Sequence, residues 1–147
     1  MLNRLLLSCF VFTVLWSVPL AAQAQGISRI DTALLGRILA EEGYAYTTDK
    51  DGDFIWKMEG YRTLLAVAKD KTSLTFRASF SSKGVGLSKI NAWNQSKRFS
   101  KTYLDDSEDP ILQLDLDLAG GVSRERIKDY LRTCRISLTT WISEVVN

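Results

Sequence analysis

The residue types that carry most enzyme chemistry are scarce in this sequence, so its carboxylates are the first candidates for a reactive or metal-binding site. The chain has 17 Asp and Glu residues, two cysteines and no histidine. Without histidine there can be no Ser-His-Asp triad, no Cys-His dyad and no His-ligated zinc, and two cysteines are too few for a thiolate zinc site. Catalysis or metal binding would therefore have to use carboxylates.

The Asp-x-Asp-x-Asp spacing at residues 49–53 begins like a calcium loop, because hard cations prefer several carboxylate oxygens at alternating positions. An EF-hand loop needs glycine at its sixth position and glutamate at its twelfth, where this chain has Phe54 and Gly60. A second acidic turn, residues 105–109, has the composition to hold a divalent ion weakly. We interpret both segments as charged, solvent-exposed turns and expect no metal site.

Asp115 and Asp117 lie on the same side of a predicted strand, as a general acid and a general base would. Outward carboxylates are ordinary on a half-exposed strand, and no Ser-x-x-Lys or Gly-x-Ser-x-Gly motif supplies a nucleophile. The string Gly84-Val85-Gly86 lacks the rest of a dinucleotide fingerprint. We therefore expect no catalytic residues, no cofactor and no enzyme activity.

The aromatic residues Tyr44, Tyr46, Trp56 and Tyr61 are the candidate binding residues, because they cluster near the first turns of a predicted sheet. Such a cluster either lines a recognition groove or packs in the core and at the sheet edge. With 19 basic and 17 acidic residues, a net charge of +2, the composition gives no indication of nucleic-acid binding.

A basic stripe accompanies the apolar stripe of the last predicted helix. It comprises Arg124, Lys128, Arg132 and Arg135. Such a stripe can meet an anionic lipid or an acidic partner, but acidic residues interrupt it, so we interpret it as a solvated face.

Hydrophobic periodicity predicts an α+β fold with the element order α-β-β-β-α-β-β-α. Strands with one apolar and one polar side predict an antiparallel sheet with helices packed on one face. Cys134 is in register with the apolar stripe of the last helix and is expected to be buried. Helices are predicted over residues 29–41, 87–94 and from 124 onward, and strands over 54–58, 61–69, 72–80, 99–104 and 111–118.

Residues 1–24 have the pattern of a secretory signal peptide: a positively charged start, an apolar stretch over residues 5–20 and the small-x-small series Ala22-Gln23-Ala24. The apolar stretch is shorter than the roughly 20 residues that a membrane-spanning helix needs. We expect cleavage after Ala24, a periplasmic or secreted location and no stable membrane insertion afterwards. Residues 25–147 are then a single domain, and a retained membrane anchor is the alternative.

Residues 90–122 contain strings that resemble the YbjN family of bacterial proteins. The resemblance rests on Ile90-Asn91-Ala92-Trp93-Asn94, Lys97-Arg98-Phe99, Tyr103-Leu104-Asp105-Asp106 and Leu114-Asp115-Leu116-Asp117-Leu118-Ala119-Gly120-Gly121-Val122. It extends more weakly from about residue 30 to residue 145. It implies a fold like that of type III secretion chaperones, which are dimers that bind extended polypeptide along their surface. YbjN proteins are described as sensory transduction regulators, and no established active site comes with the family.

The most recognisable residues of these strings have structural interpretations. We expect Trp93 to anchor the middle helix on the sheet, and Asn91 and Asn94 to satisfy backbone groups at the end of that helix. Gly120-Gly121 would permit a sharp turn into the last helix. None of these roles indicates catalysis.

Together these observations predict an exported, non-enzymatic module that binds a protein or peptide, with a homodimer as its expected form. The alternative is a sensory domain that binds a small ligand or ion through the acidic turns or the aromatic cluster. An extended apolar surface patch would favour the first function, and a closed polar pocket would favour the second.

Overall fold

The structure, a computed structural model, describes residues 26–81 and 84–147. The predicted signal peptide, residues 1–24, lies outside these ranges. Within them the elements are α1 (Thr32–Glu41), β1 (Tyr46–Thr48), β2 (Phe54–Met58), β3 (Tyr61–Val67), β4 (Ser73–Ser79), α2 (Leu87–Ser96), β5 (Lys101–Leu104), β6 (Pro110–Asp117), α3 (Arg124–Trp141) and a π-helical turn (Ile142–Val146). No helix of the described segments is long and apolar enough to cross a bilayer.

The strands form one antiparallel sheet in the order β1-β2-β3-β4-β6-β5. The α+β class is thus confirmed. The prediction was wrong in lacking β1, which has only three residues and therefore shows almost no alternation. β6 lies between β4 and β5 because the chain crosses through α2 before it returns to the sheet.

One face of the sheet carries the core. Trp56, Leu65, Phe76 and Leu114, one from each of four neighbouring strands, are at most 1% exposed and share a single hydrophobic cluster with α1 and α3. Each fully buried side chain of this size contributes about 1.5–3 kcal/mol relative to an exposed one. Cys134 of α3 belongs to the same cluster as a free thiol, which confirms its expected burial.

The helix ends follow local capping chemistry. α1 begins after Asp31, whose carboxylate accepts a hydrogen bond from Leu34 N at 2.8 Å, so the predicted start at residue 29 was too early. The chain leaves α1 through Gly43 at φ 74°, a left-handed conformation that glycine adopts readily after the end of a helix. Ser123 caps α3 by accepting from Arg126 N at 3.1 Å.

The Gly120-Gly121 turn has φ angles of 77° and 84°, which confirms the predicted sharp turn into α3. The same turn meets the start of the described chain, where Ile27 and Val122 exchange backbone hydrogen bonds of 2.7 and 3.0 Å. A Cβ atom at Gly121 would lie 3.1 Å from the backbone of Gly26. Glycine is therefore needed for the close approach as well as for the turn.

Candidate functional site

The acidic turns use their carboxylates to hold their own backbone. Asp49 Oδ1 accepts from the N–H groups of Asp51 and Asp53 at 2.9 and 3.0 Å, and Asp105 Oδ1 does the same in the second turn. Among the described residues, no group of three or more Asp, Glu, His or Cys is placed to hold a metal ion. Partial burial, followed by the charges of Asp49 and Asp51, raises the pKa of Asp53. These contacts give the first turn a structural role and leave its charges in mutual repulsion.

Asp115 and Asp117 do not form a paired acid and base. Both are exposed on the sheet face away from the core, and Asp115 accepts hydrogen bonds from Thr75 Oγ1 at 2.8 Å and Gln113 Nε2 at 3.0 Å. Asp117 Oδ1 accepts from Ala119 N in the next turn. The two carboxylates therefore serve different local contacts.

The predicted aromatic cluster is partly assembled. The ring centroids of Tyr44 and Trp56 are 4.7 Å apart, but Trp56 is fully buried and its Nε1 has no hydrogen-bond partner in the described segments. The Tyr46 ring packs against Phe54, and its hydroxyl lies so close to α1 that a Cβ at Gly36 would be 2.8 Å away.

Tyr61 takes part in a different aromatic group. It packs against Phe80 at 4.9 Å, and Phe80 packs against Trp141 at 5.5 Å. Tyr61 is 40% exposed. The four aromatic residues therefore do not line one groove, and the buried Trp56 stabilises the core.

The basic stripe of α3 contacts the acidic end of α1. Arg124 forms an ion pair with Glu41, and Lys128 and Arg132 contact Glu42 at 3.0 and 3.1 Å. A hydrogen bond from Arg124 lowers the pKa of Glu41, and one from Lys128 lowers the pKa of Glu42. The expected solvated face is therefore largely an ion-paired contact between two helices.

The residue strings around α2 that carry the family resemblance organise strand β5. Trp93 is buried, as expected, and its Nε1 donates to Ser100 Oγ at 3.0 Å. Asn94 was expected to end the helix, but α2 continues to Ser96. Instead, Asn94 Oδ1 accepts from Thr102 N and its Nδ2 donates to Thr102 O, both at 2.9 Å.

Asn91 does not have the expected helix-end role. It is exposed, and no side-chain hydrogen bond of Asn91 is present within residues 26–81 and 84–147. Of the two asparagines, Asn94 alone therefore bonds to backbone groups in the described segments, and these groups belong to β5.

A groove between α3 and the segment that connects α2 to β5 was not predicted. We call it the α3 groove. Its first part is a cavity of about 400 Å³ between Trp93 and Ile136, and Phe99 and Ile136 on its walls are 69% and 67% exposed. Its second part, about 540 Å³, shares Arg98 and Phe99 with the first and extends to Asp115.

The second part of the groove reaches an uncovered edge of the sheet. β4 pairs with β6 as far as Asp117, whereas β5 pairs with it only from Pro110 to Gln113. Within the described segments, residues 114–117 of β6 therefore have no strand on their β5 side. Backbone groups on such an edge can pair with an added chain.

Two of the wall residues had weak signals in the sequence. Ile136 is an apolar residue outside the buried stripe of α3, which marks it as exposed. Phe99 was placed at the start of a strand, but β5 begins only at Lys101, so Phe99 lies in the connecting segment. The free edge of β6 depends on strand pairing and had no local signal.

Comparison with known proteins identifies the relatives of this architecture. The model of the YbjN family, described as "Putative bacterial sensory transduction regulator", matches residues 31–146. The chain belongs to the YbjN family. No curated protein matches its sequence.

Two solved structures share the fold. One is YbjN from E. coli, described as "a putative transcription regulator", with a TM-score of 0.60 and 17% identity over 71% of this chain and 82% of that one. The other is the Yersinia pestis type III secretion chaperone SycH in complex with a stable fragment of YscM2. It has a TM-score of 0.55 and 16% identity over 74% of this chain and 97% of that one. At these identities the similarity establishes the chaperone-like fold.

Proposed function

We propose that this YbjN protein is an exported, non-enzymatic module that binds an extended segment of a partner protein in the α3 groove. The family and the chaperone-like fold support a binding module that is not a catalyst. The SycH structure, with its bound fragment, supports a protein as the partner. The groove itself provides the argument for where the partner binds.

The observation that carries the proposal is the combination of two exposed apolar side chains with an uncovered strand edge. Phe99 and Ile136 are each more than two-thirds exposed, although a large apolar side chain is more stable when buried. A partner segment that covers both would remove this apolar surface from water. Beyond Phe99, residues 115–117 of β6 offer main-chain hydrogen bonds, which bind extended polypeptide with little dependence on its sequence.

The test selects displayed peptides that bind the purified mature protein and then measures their affinity for groove variants by calorimetry. We expect Phe99→Asp and Ile136→Asp each to weaken binding by at least about tenfold, because each puts a charge where an apolar side chain docks. Leu87→Asp is the matched control, since Leu87 is 66% exposed but lies outside the groove. Circular dichroism checks that the variants are folded.

Three outcomes would contradict the proposal: selection yields no binding peptide, the Asp variants bind as tightly as the parent, or Leu87→Asp weakens binding equally. Sedimentation equilibrium tests a second copy as the occupant. A parent dimer that Phe99→Asp dissociates would assign the groove to the homodimer interface and overturn partner binding there. A homodimer that survives Phe99→Asp would be compatible with the groove and would support the expected oligomeric state.

Export is part of the proposal and rests on the pattern of residues 1–24. We expect the protein in the periplasm or the medium, with Gln25 as its first residue. Mass spectrometry of the intact protein from fractionated cells measures this directly. A chain that retains residues 1–24, or that remains in the cytoplasm, would refute the assignment.

A further inference from the structure

The face of the sheet opposite the core is uncovered and has an apolar depression in its middle. We call it the outer face. Ile55 and Leu64 are partners across β2 and β3, and with Ile111 of β6 they line a cavity of about 300 Å³. Within the described part of the chain, no helix packs over this cavity. The cavity is separate from the α3 groove, with which it shares no lining residue.

Basic side chains surround this depression. Lys57 and Arg62 lie directly opposite each other on β2 and β3, and Arg77 of β4 is the cross-strand partner of Leu64. All three are exposed, and none forms an ion pair with an acidic residue of the described segments. Like charges directly opposite each other destabilise a sheet, so folding alone does not account for the Lys57–Arg62 pair.

Arg77 is also held in place. Its Nε donates to Gln113 Oε1 at 3.3 Å, and the same oxygen accepts from the Tyr103 hydroxyl at 3.0 Å. Gln113 Nε2 in turn donates to both carboxylate oxygens of Asp115 at 3.0 Å. The terminal nitrogens of Arg77 have no partner in the described ranges and are free to form a two-point contact with a carboxylate.

We propose that the outer face binds a second protein segment, an extended stretch in which acidic side chains alternate with aliphatic ones. The aliphatic side chains would enter the depression at Ile55, Leu64 and Ile111, and the carboxylates would contact Arg62 and Arg77. Every second side chain of an extended segment points to the same side, so the aliphatic side chains face the depression together, and the carboxylates on the opposite side are contacted by the long, exposed Arg62 and Arg77 side chains that reach past the segment. The open, flat face fits such a segment better than a lipid chain, which needs an enclosed apolar cavity.

The probe is a fluorescein-labelled peptide of sequence Gly-Leu-Glu-Leu-Asp-Leu-Glu-Gly, and its binding to the mature protein is followed by anisotropy. A peptide with Lys at the three acidic positions is the matched control. We expect saturable binding of the acidic peptide only, which weakens as salt is raised because the contacts are exposed ion pairs. The double variant Arg62→Glu/Arg77→Glu is expected to lose about tenfold or more in affinity, the scale of two charge-assisted contacts.

Arg135→Glu is the control for charge reversal, because Arg135 is also exposed but lies on α3. It should leave the affinity within about twofold. Arg62→Glu alone should not lower the urea midpoint of the protein, because it replaces a like-charge pair with an opposite-charge pair. Urea denaturation of Arg62→Glu/Arg77→Glu itself then separates loss of binding from loss of folding.

The inference is overturned if the parent protein does not bind the acidic peptide, if the lysine peptide binds as tightly, or if the Arg62→Glu/Arg77→Glu variant binds unchanged. It is also overturned if Phe99→Asp, rather than the outer-face variant, abolishes binding, since the peptide would then occupy the α3 groove. Failure of the groove variants to affect the selected peptides would refute the proposed function and leave the outer face untouched. The two surfaces are therefore tested by different residues and different probes.

Discussion

Thr102 joins three elements in the core, and replacing it with valine should destabilise the fold although the two side chains have nearly the same shape. The Thr102 hydroxyl donates to Ile111 O at 2.7 Å and accepts from Trp141 Nε1 at 2.9 Å. The residue is 2% exposed, so water cannot replace either bond. Thr102→Val leaves the indole N–H buried without a partner, while the backbone bonds to Asn94 remain.

The expected loss follows from these two bonds. A buried donor without a partner costs about 1–3 kcal/mol, and a lost neutral hydrogen bond costs about 0.5–1.5 kcal/mol. We therefore expect Thr102→Val to lower the free energy of unfolding by about 1.5–4.5 kcal/mol. Urea denaturation monitored by tryptophan fluorescence measures this value, and an unchanged m-value shows that the denatured state is not altered.

Two controls isolate the contribution of the hydroxyl. Thr63 is also buried, but among the described residues its hydroxyl makes one bond, to Trp56 O at 2.9 Å, so Thr63→Val should cost only about 0.5–1.5 kcal/mol. Thr102→Ser keeps the hydroxyl and removes a methyl group, at a cost of about 1 kcal/mol. If Thr102→Val is no more destabilising than Thr102→Ser, the hydroxyl does not hold α3 against β5.

Three further changes test other parts of the fold by urea denaturation. Gly121→Ala should cost about 1–3 kcal/mol, because φ is 84° and the new methyl group would approach the facing backbone; a neutral effect would exclude a tight N-terminal contact. Asp51→Asn should stabilise the protein at pH 7 and have little effect at pH 3, since it removes one of the charges that raise the pKa of Asp53; equal effects at both pH values would contradict this. The lowered pKa of Glu41 contributes stability that is present above its ordinary value of 4.5 and is lost as the pH falls through the lowered pKa. Glu41→Gln should therefore reduce the loss of stability on acidification. An unchanged loss would show that the ion pair with Arg124 contributes nothing.

The parts of the fold with regular alternation or clear caps were predictable, and the parts that depend on partners far along the chain were not. β6 shows three alternating leucines, at 112, 114 and 116, which point to the core as expected, and Leu118 just after the strand is also buried. β1 has three residues and pairs with β2 in the described sheet. It is defined as a strand by its pairing with Trp56 and Ile55, and its own three residues do not predict it. Its edge position could be found only from the assembled sheet.

The candidate site was harder to predict because its residues are remote in sequence. Phe99 and Ile136 are brought together by the packing of α2 and β5 beside α3, and neither residue belongs to a chemical motif. The residues with motif-like spacing have structural roles instead: Asp49 holds a turn and Asn94 holds β5. In this chain, spacing along the sequence reflects local hydrogen bonding, whereas exposure in the folded state indicates the proposed binding surface.

The edges near the groove differ in a way that favours one position for an added strand. At β5, Asn94 already occupies the N–H and C=O of Thr102, so an incoming chain would have to displace a side chain that makes two 2.9 Å hydrogen bonds. Residues 114–117 of β6, beside Phe99, have no strand of the described chain on that side. A partner segment should therefore pair with β6, in the space beside residues 114–117 that β5 leaves open because it begins only at Lys101.

This geometry predicts that main-chain donors of the bound peptide contribute to its affinity. N-methylation of alternate residues removes the donors on one edge of an extended peptide and leaves its side chains unchanged. The methylated register that faces β6 should bind about tenfold or more weakly, the scale of two lost hydrogen bonds, and the opposite register should bind nearly as well as the parent peptide. The two methylated peptides are isomers with the same composition, so calorimetry compares only the positions of their methyl groups. Equal affinities would show that the peptide docks through its side chains at Phe99 and Ile136 and does not extend the sheet.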